Sequence, residues 1–513
     1  MKSFINIILC LLTCIPMYGQ QTFNFRYPLT NAGVSHGLIQ LEDGYLISGD
    51  LFDEIRNYSL IKLNSSGEIQ WISEFSDSLD VRGRFLRTFQ KTNNDLILDV
   101  AYSINEDDKH ENHLLWFDYH GNLIRHTSEI SPFYYDEPTS NWDVPDWYRT
   151  VGLIQDDDGF IYSASVLKYP WIKISKHDSL GQEIWTEFFR GDLSGNQAGI
   201  RAITLLENQL FFSKQELSTD NGDFNSLIVL NKADGEQVDS IPLPHRFEIK
   251  DIHVNSPSDI FLATTFCSES DCYSAVVAID DEGEEKWRLT YGDGQPTSWT
   301  EAAYKILPQE DGNFVSIGDY HETVTENVEE EGYWNNYIVL FKFNDQGEEI
   351  WNRRYRLVES YDDRHEVADV IQTSDNGFAF CGIASDLDLE NENFEAPAQQ
   401  IWVVKTDPCG CLIPGCDPDC NAYPMAPVAE DDYLILGPSP TTGPLNVYLK
   451  PLEDPNLELL VHDMTGRVIH SISQAQTDIT YMMDLSNQAE GVYLVTLRSE
   501  EKVLQMEKVV VTK

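Results

Sequence analysis

Basic residues are scarce in this chain. Lysine and arginine number 35 against 85 aspartates and glutamates, a formal net charge of −50. So acidic a surface repels phosphate backbones, which excludes nucleic acid as a partner. An anionic membrane surface is disfavoured for the same reason. Long apolar runs are missing after the first twenty residues, so no later segment reads as a transmembrane span. No His-Glu-x-x-His, phosphate loop or dinucleotide fingerprint occurs. The Cys-x2-Cys spacing of zinc knots is absent too. Sustained helical periodicity does not intervene anywhere in the middle of the chain.

What is present begins with an export signal. Lys2 supplies the positive start, Phe4 to Leu12 the short apolar run, and Met17-Tyr18-Gly19-Gln20 the cleavage zone. Residues 1–20 are therefore read as a signal peptide. A lipid-attachment role for Cys14 is the weaker reading, because Thr13 is a poor residue before it. Nine cysteines occur, and seven remain after the signal. In an exported protein they can oxidise. "CSESDC" sets Cys267 and Cys272 on either side of a tight loop, a hairpin-disulfide geometry. "CGCLIPGCDPDC" offers Cys409, Cys411, Cys416 and Cys420 for one or two more. Cys381 sits in an apolar run and reads as a buried free thiol.

A repeat organises the middle of the chain. A glycine turn recurs at Gly67, Gly121, Gly181, Gly235, Gly283, Gly347 and Gly410. Each copy follows a β-rich run such as "YSLIKL", "AVVAID" or "YIVLFKF". Upstream of that run lies a second turn, as in "LEDGYLISG" or "EDGNFVSIG", and before it another apolar segment. Each unit reads as four strands, A to D, joined by turns. Seven such units predict a seven-bladed β-propeller. The competing open β-solenoid is built from shorter repeats. Strand D carries aromatic pairs four residues apart (Trp71 and Phe75, Trp185 and Phe189, Trp287 and Tyr291, Trp351 and Tyr355). Alternation puts both rings of a pair on one sheet face, where they fill space between blades. The Gly-x-x-x-Trp ending resembles the tryptophan-docking motif of quinoprotein propellers, which supports blade architecture and says little about a quinone.

The first strand of the mature chain has no hairpin partner. "TFNFRYPL" aligns with "IWNRRYRL" of the sixth unit, placing Phe23 on Trp351, Asn24 on Asn352 and Tyr27 on Tyr355. It is a strand D without a blade, while the seventh unit is a blade without a strand D. Residues 22–29 are expected to pair beside Ile401 to Thr406 and close the ring.

Turn lengths divide the two ends of the disc. A–B and C–D turns are short, while several B–C and D–A connections are long. Function tends to sit on loops held by a rigid scaffold. Trp142, Trp147, Trp299 and Trp334 fall in or beside these connections and are candidates for stacking on sugars or gripping peptides. "DLDLENENFE" offers Asp386, Asp388, Glu390 and Glu392 at alternating positions, a loop that can supply oxygen ligands to calcium. No cofactor is firmly expected. "GVSHG" matches the nucleophile-elbow pattern, yet a strand rather than a helix follows it, so it is read as coincidence. "HENH", His110 to His113, has residue types that can bind a metal, but it reads first as a solvated loop end.

The composition changes after "NAYPMAPVAEDD". Pro438 and Pro440 with Gly443, Asp463 with Gly466-Arg467, and Leu485-Ser486 with Gly491 to Val495, including Tyr493, follow in order at the C-terminus. This segment resembles the type A C-terminal sorting domain of the Bacteroidota type IX secretion system; Ser439 replaces the usual Asn. The resemblance implies a small Ig-like β-sandwich read by the outer-membrane translocon. Asp77-Ser78-Leu79, Asp178-Ser179-Leu180 and Asp239-Ser240-Ile241 resemble the Bacteroidota O-glycosylation motif.

The expectation is an all-β protein: signal peptide 1–20, propeller 21–420, linker 421–431 and sorting domain 432–513. It is expected to be a secreted or cell-surface monomer that binds a glycan or protein ligand on its loop-rich face. The alternative is a propeller-fold polysaccharide hydrolase or lyase using carboxylates near the central channel.

Overall fold

The structure is a computed structural model. It describes residues 22–512 except 28–31, 53–55, 75–81, 91–95, 105–108, 131–148, 167–170, 191–199, 201, 217–223, 244–246, 269–270, 291–302, 325–332, 357–363, 386–398, 413–415, 417–432, 438–440, 442, 453–456, 464–465, 474, 478 and 500–501. In parts of some strands only the backbone is described.

Every described element is a β-strand. The first unit pairs Ala32–Leu41, Gly44–Phe52, Arg56–Asn64 and Ile69–Glu74 in chain order as one four-stranded antiparallel sheet. The same order recurs from Arg82–Gln90 to Leu123–Ile130, from Arg149–Gln155 to Glu183–Arg190, and from Ile203–Leu206 to Gln237–Leu243. It recurs again from Phe247–Ser256 to Glu285–Thr290 and from Ala303–Pro308 to Glu349–Tyr355. The seventh unit contributes only Arg364–Gln372, Phe378–Ser385 and Gln399–Thr406, and its fourth strand is Phe23–Tyr27. That strand runs antiparallel in the expected place, with Phe23 opposite Lys405 and Tyr27 opposite Ile401. The repeat of four-stranded sheets is propeller-like.

The sheets are covered on both faces, so their middle strands read as unbroken apolar runs. In the fifth unit Ala275, Val276, Val277, Ala278 and Ile279 are all fully buried. Strand A of each unit touches strand A of the next, and strand A of the first unit touches that of the seventh.

The recurring glycine has two duties. It takes a left-handed conformation, φ +77° at Gly347 and +83° at Gly67, that closes the C–D turn. At six of the seven positions it also leaves room for a ring of the preceding unit, and at Gly283 for the Pro242 carbonyl. A Cβ on Gly347 would lie 2.6 Å from Trp287, and one on Gly410 would lie 3.1 Å from Trp351. Trp287 Nε1 donates to the Asp345 carbonyl at 2.9 Å, and Trp185 Nε1 to that of Lys232 at 3.2 Å. The strand D tryptophans thus lock one unit to the turn of the next. The second unit has no tryptophan in strand D, and Trp116 of its strand C meets Gly181 instead.

The first unit uses the N-terminal strand in the same way. A Cβ on Gly67 would lie 2.8 Å from Phe23. Tyr27 donates to the Gly67 carbonyl at 2.5 Å, as Tyr355 does to the Gly410 carbonyl at 2.6 Å. The alignment of Phe23 with Trp351 and Tyr27 with Tyr355 therefore has a physical counterpart.

The C-terminal segment folds into two sheets. One holds Leu434–Gly437, Pro444–Leu449 and Ile479–Asp484; the other holds Val468–Ser473, Leu457–Asp463, Gly491–Ser499 and Lys502–Val511. The first of these continues the sheet of the sixth unit, because Ile479 and Thr480 pair in parallel with Arg354 and Tyr355. Sequence reading treats the tail as a module set apart by a linker; its sheet in fact extends one in the repeat array.

Cys411 and Cys416 form a disulfide with a Cα separation of 5.7 Å. Cys409 is also disulfide-bonded. Cys267 and Cys272 stand opposite each other in the hairpin register. Cys420 lies outside the described residues. Cys381 is a free, fully buried cysteine, and burial pushes its thiol above the ordinary range. "HENH" belongs to strand Lys109–Phe117, with His110 opposite Ser103 and His113 opposite Val100, so it is not a loop end.

Candidate functional site

The two ends of the sheets differ in chemistry. At the short-turn end, a strand C lysine reaches an aspartate of its own A–B turn. Lys62 does so with Asp43, Lys342 with Asp311 at 2.5 Å, and Lys405 with Asp375 at 3.0 Å. The hydrogen bond from Lys62 holds the Asp43 carboxyl below its ordinary range. These contacts repeat by position and bind each turn to its own sheet, which makes this end structural. Buried His177 also lies here, and desolvation lowers its pKa to about 4.

At the other end the B–C connections, and all but a few residues of the D–A connections, lie outside the described residues. Trp142, Trp147, Trp299 and the acidic set Asp386, Asp388, Glu390 and Glu392 fall in them. Trp334 is on strand Tyr333–Phe343, opposite Thr323, because the sixth-unit hairpin is longer than its neighbours. Among the described residues no group of three or more His, Cys, Asp or Glu could hold a metal ion.

Beneath these connections, strand A is bulged. One extra residue interrupts the A–B register at His36, Val151, Lys250, Tyr304 and Ala368, and in the second unit Arg84 and Phe85 together stand opposite the single residue Ala101. A bulge re-aims the extra side chain away from the ladder. In the first and sixth units the extra residue meets an aspartate at one equivalent place in strand B. His36 Nε2 lies 2.9 Å from Asp50 Oδ2, and the Tyr304 hydroxyl donates to Asp319 Oδ2 at 3.4 Å. The register proves the equivalence, since Ser35 faces Gly49 and Ala303 faces Gly318. Asp50 and Asp319 are almost fully buried, at 0% and 1% exposure, while His36 and Tyr304 keep some access to solvent. A buried carboxylate behind an imidazole or phenol fixes its orientation and suits it to hydrogen bonding or proton transfer.

The residue after the bulge ties neighbouring units together. Asp251 accepts the Ile306 N–H at 2.9 Å. Asp369 accepts the Leu38 N–H at 2.9 Å and the Lys305 ammonium at 2.6 Å. Asp369 therefore joins the seventh unit to the first as Asp251 joins the fifth to the sixth. Ser35 of "GVSHG" is buried in strand A and donates to the Gly382 carbonyl at 2.8 Å, so it is a joining residue and no nucleophile elbow.

Sequence reading did not single out His36, Asp50, Tyr304 or Asp319. A usable signal exists in Gly49-Asp50 and Gly318-Asp319. Each sets a carboxylate directly after the apolar stretch of strand B ("YLISG" and "FVSIG"), where an unpartnered charge would be costly.

The tail motif residues have local structural roles. Asp463 caps its turn by accepting the Arg467 N–H at 3.1 Å and Nε at 3.0 Å. Gly466 takes φ +84° in that turn. A Cβ on Gly443 would lie 2.7 Å from Ser486 Cβ, so the first and third motifs meet there. Tyr493 closes a corner by donating to the Ala489 carbonyl at 2.8 Å. Gly491 opens the same strand, and Pro438 and Pro440 lie outside the described residues.

Residues 436–512 match the family of secretion system C-terminal sorting domains. The chain thus carries a type IX sorting tail, and its destination is the cell surface or the extracellular space. No described helix is long and apolar enough to cross a membrane. No curated protein matches the sequence significantly. Among solved structures, an ulvan lyase of polysaccharide lyase family PL25, bound to -[GlcA(1-4)Rha3S]-, is similar at 9% identity and TM-score 0.46, over 75% of this chain and 96% of that one. A mutant NanB sialidase from Streptococcus pneumoniae is similar at 8% identity and TM-score 0.39, over 75% and 94%. A Synechocystis apocarotenoid oxygenase is similar at 10% identity and TM-score 0.36, over 63% and 71%.

Proposed function

We propose that the repeated sheets form one closed seven-bladed β-propeller over residues 21–420, clasped by its N-terminal strand. Residues 1–20 are its signal peptide, 421–431 a linker and 432–513 the sorting domain. The monomeric propeller binds a glycan or protein ligand at its loop-bearing end. One observation carries this reading: the short-turn end is occupied by repeated structural ion pairs, while the bulged inner strands turn His36 and Tyr304, each backed by a buried aspartate, toward the end that bears the long connections. The circuit of inner-strand contacts supports closure, as does the Asp369 bond to Leu38.

The same pairs favour a second reading, a lyase or hydrolase acting on polysaccharide. An oriented imidazole is a general base, and a phenol in contact with a carboxylate can relay a proton. A glycan array probed with the mature chain, run alongside a reducing-sugar assay on the polysaccharides it recognises, separates the two. The binding reading predicts stable retention without sugar release, weakened by His36→Ala. Release without retention, abolished by His36→Ala, would replace it with the enzyme reading. Silence in both assays would point to a protein ligand.

A further inference from the structure

Successive side chains of a strand point to opposite faces. In the tail strands Pro444–Leu449 and Ile479–Asp484, one face carries Leu445, Val447, Leu449, Ile479, Tyr481 and Met483 into a core shared with Val461 and Val495. The opposite face carries Asn446, Tyr448, Thr480 and Met482. In a free-standing sandwich that face would lie in water. Here Asn446, Tyr448 and Thr480 are only 5%, 8% and 7% exposed.

The body of the protein covers them. Tyr448 packs with Cys409, Cys411 and Cys416 of the loop that ends the seventh unit. Met482 packs against the cluster holding Trp351 and Tyr355 of the sixth unit. The strand bearing Tyr448 also touches the N-terminal strand Phe23–Tyr27. Tyr337 donates a hydrogen bond to Gln476, and the parallel pairing of Ile479 and Thr480 with Arg354 and Tyr355 adds a strand to the sixth sheet. Strand addition of this kind is a recognised way for a sheet edge to hold a partner.

We propose that the outer edges of the sixth and seventh units are a docking site for the chain's own sorting tail, so that cutting the linker does not by itself release the tail. Departure of the tail is then a separate, noncovalent step. It uncovers the apolar cluster against which Met482 packs and the strand edge at Arg354 and Tyr355, both features that natural proteins shield.

The test uses the full mature chain with a site-specific protease sequence inserted within 421–431. After complete cutting, the two fragments are expected to co-elute in size-exclusion chromatography at micromolar concentration. Met482→Asp, on the outward face of its strand, is expected to separate them while the free tail stays resistant to proteolysis. Gln476→Ala, which removes one hydrogen bond, should raise the dissociation constant several-fold. Separate elution of the unsubstituted fragments would overturn the proposal. So would co-elution of the Met482→Asp fragments with unchanged affinity, or an unchanged dissociation constant for Gln476→Ala.

Discussion

Removing residues 22–29 from the mature chain is expected to lower the urea midpoint of unfolding sharply and to leave strand Gln399–Thr406 open at its outer edge. Five residue pairs join Phe23–Tyr27 to that strand. Phe23 and Tyr27 are 4% and 7% exposed, and burying such a side chain stabilises by about 1.5–3 kcal/mol. Asn24 Oδ1 accepts the Trp402 indole N–H at 2.6 Å, a buried bond whose loss strands a donor. Thr22 adds a bond to the Leu412 carbonyl at 2.5 Å. Together these contributions reach about 5 kcal/mol, a large part of the roughly 5–15 kcal/mol by which folded domains are stable. A smaller change reports the same geometry. Tyr27→Phe removes only the bond to Gly67 and should cost about 1 kcal/mol, matched by Tyr355→Phe at the equivalent joint with Gly410. An unchanged midpoint after the deletion would mean that the strand contributes nothing to closure.

Deleting Gly437 to Lys513 is expected to abolish secretion and leave the protein in the periplasm. The effect is all or none, because the matched sorting domain, residues 436–512, is the address. The deletion also removes Met482 from the apolar cluster that holds Trp351 and Tyr355, so the retained protein must be shown folded by its resistance to proteolysis before retention is attributed to the lost address. Immunoblotting of periplasmic and culture fractions measures the outcome. Secretion of the truncated form would sink the assignment.

Much of the fold is legible in the sequence because it repeats. The turn glycines mark every unit, and Trp71, Trp185, Trp287 and Trp351, each four residues after one such glycine, contact the glycine of the next unit, so local rules and the global fold agree. The N-terminal strand is legible for the same reason. Phe23, Asn24 and Tyr27 carry the signature of a strand D, and a strand D belongs beside a strand C. The site is harder to see. His36 meets Asp50 only because a bulge shifts the register by one, and Tyr304 meets Asp319 likewise. Bulges leave little trace in an alternating pattern. Tail docking is harder still. Alternation in "LNVYL" and "ITYMMD" identifies strands of a sandwich without showing that the second face is covered too. The contacts that cover it join residues far apart in the chain, such as Tyr337 and Gln476.

Hydrogen exchange at the N-terminus is the most direct measure of ring closure. If the first strand of the mature chain clasps the last unit, the hydrogen-bonded amides of Phe23–Tyr27 exchange as slowly as those of their partners Ile401–Lys405. Exchange of Phe23–Tyr27 at the rate of an unfolded peptide, with Ile401–Lys405 still protected, would contradict it.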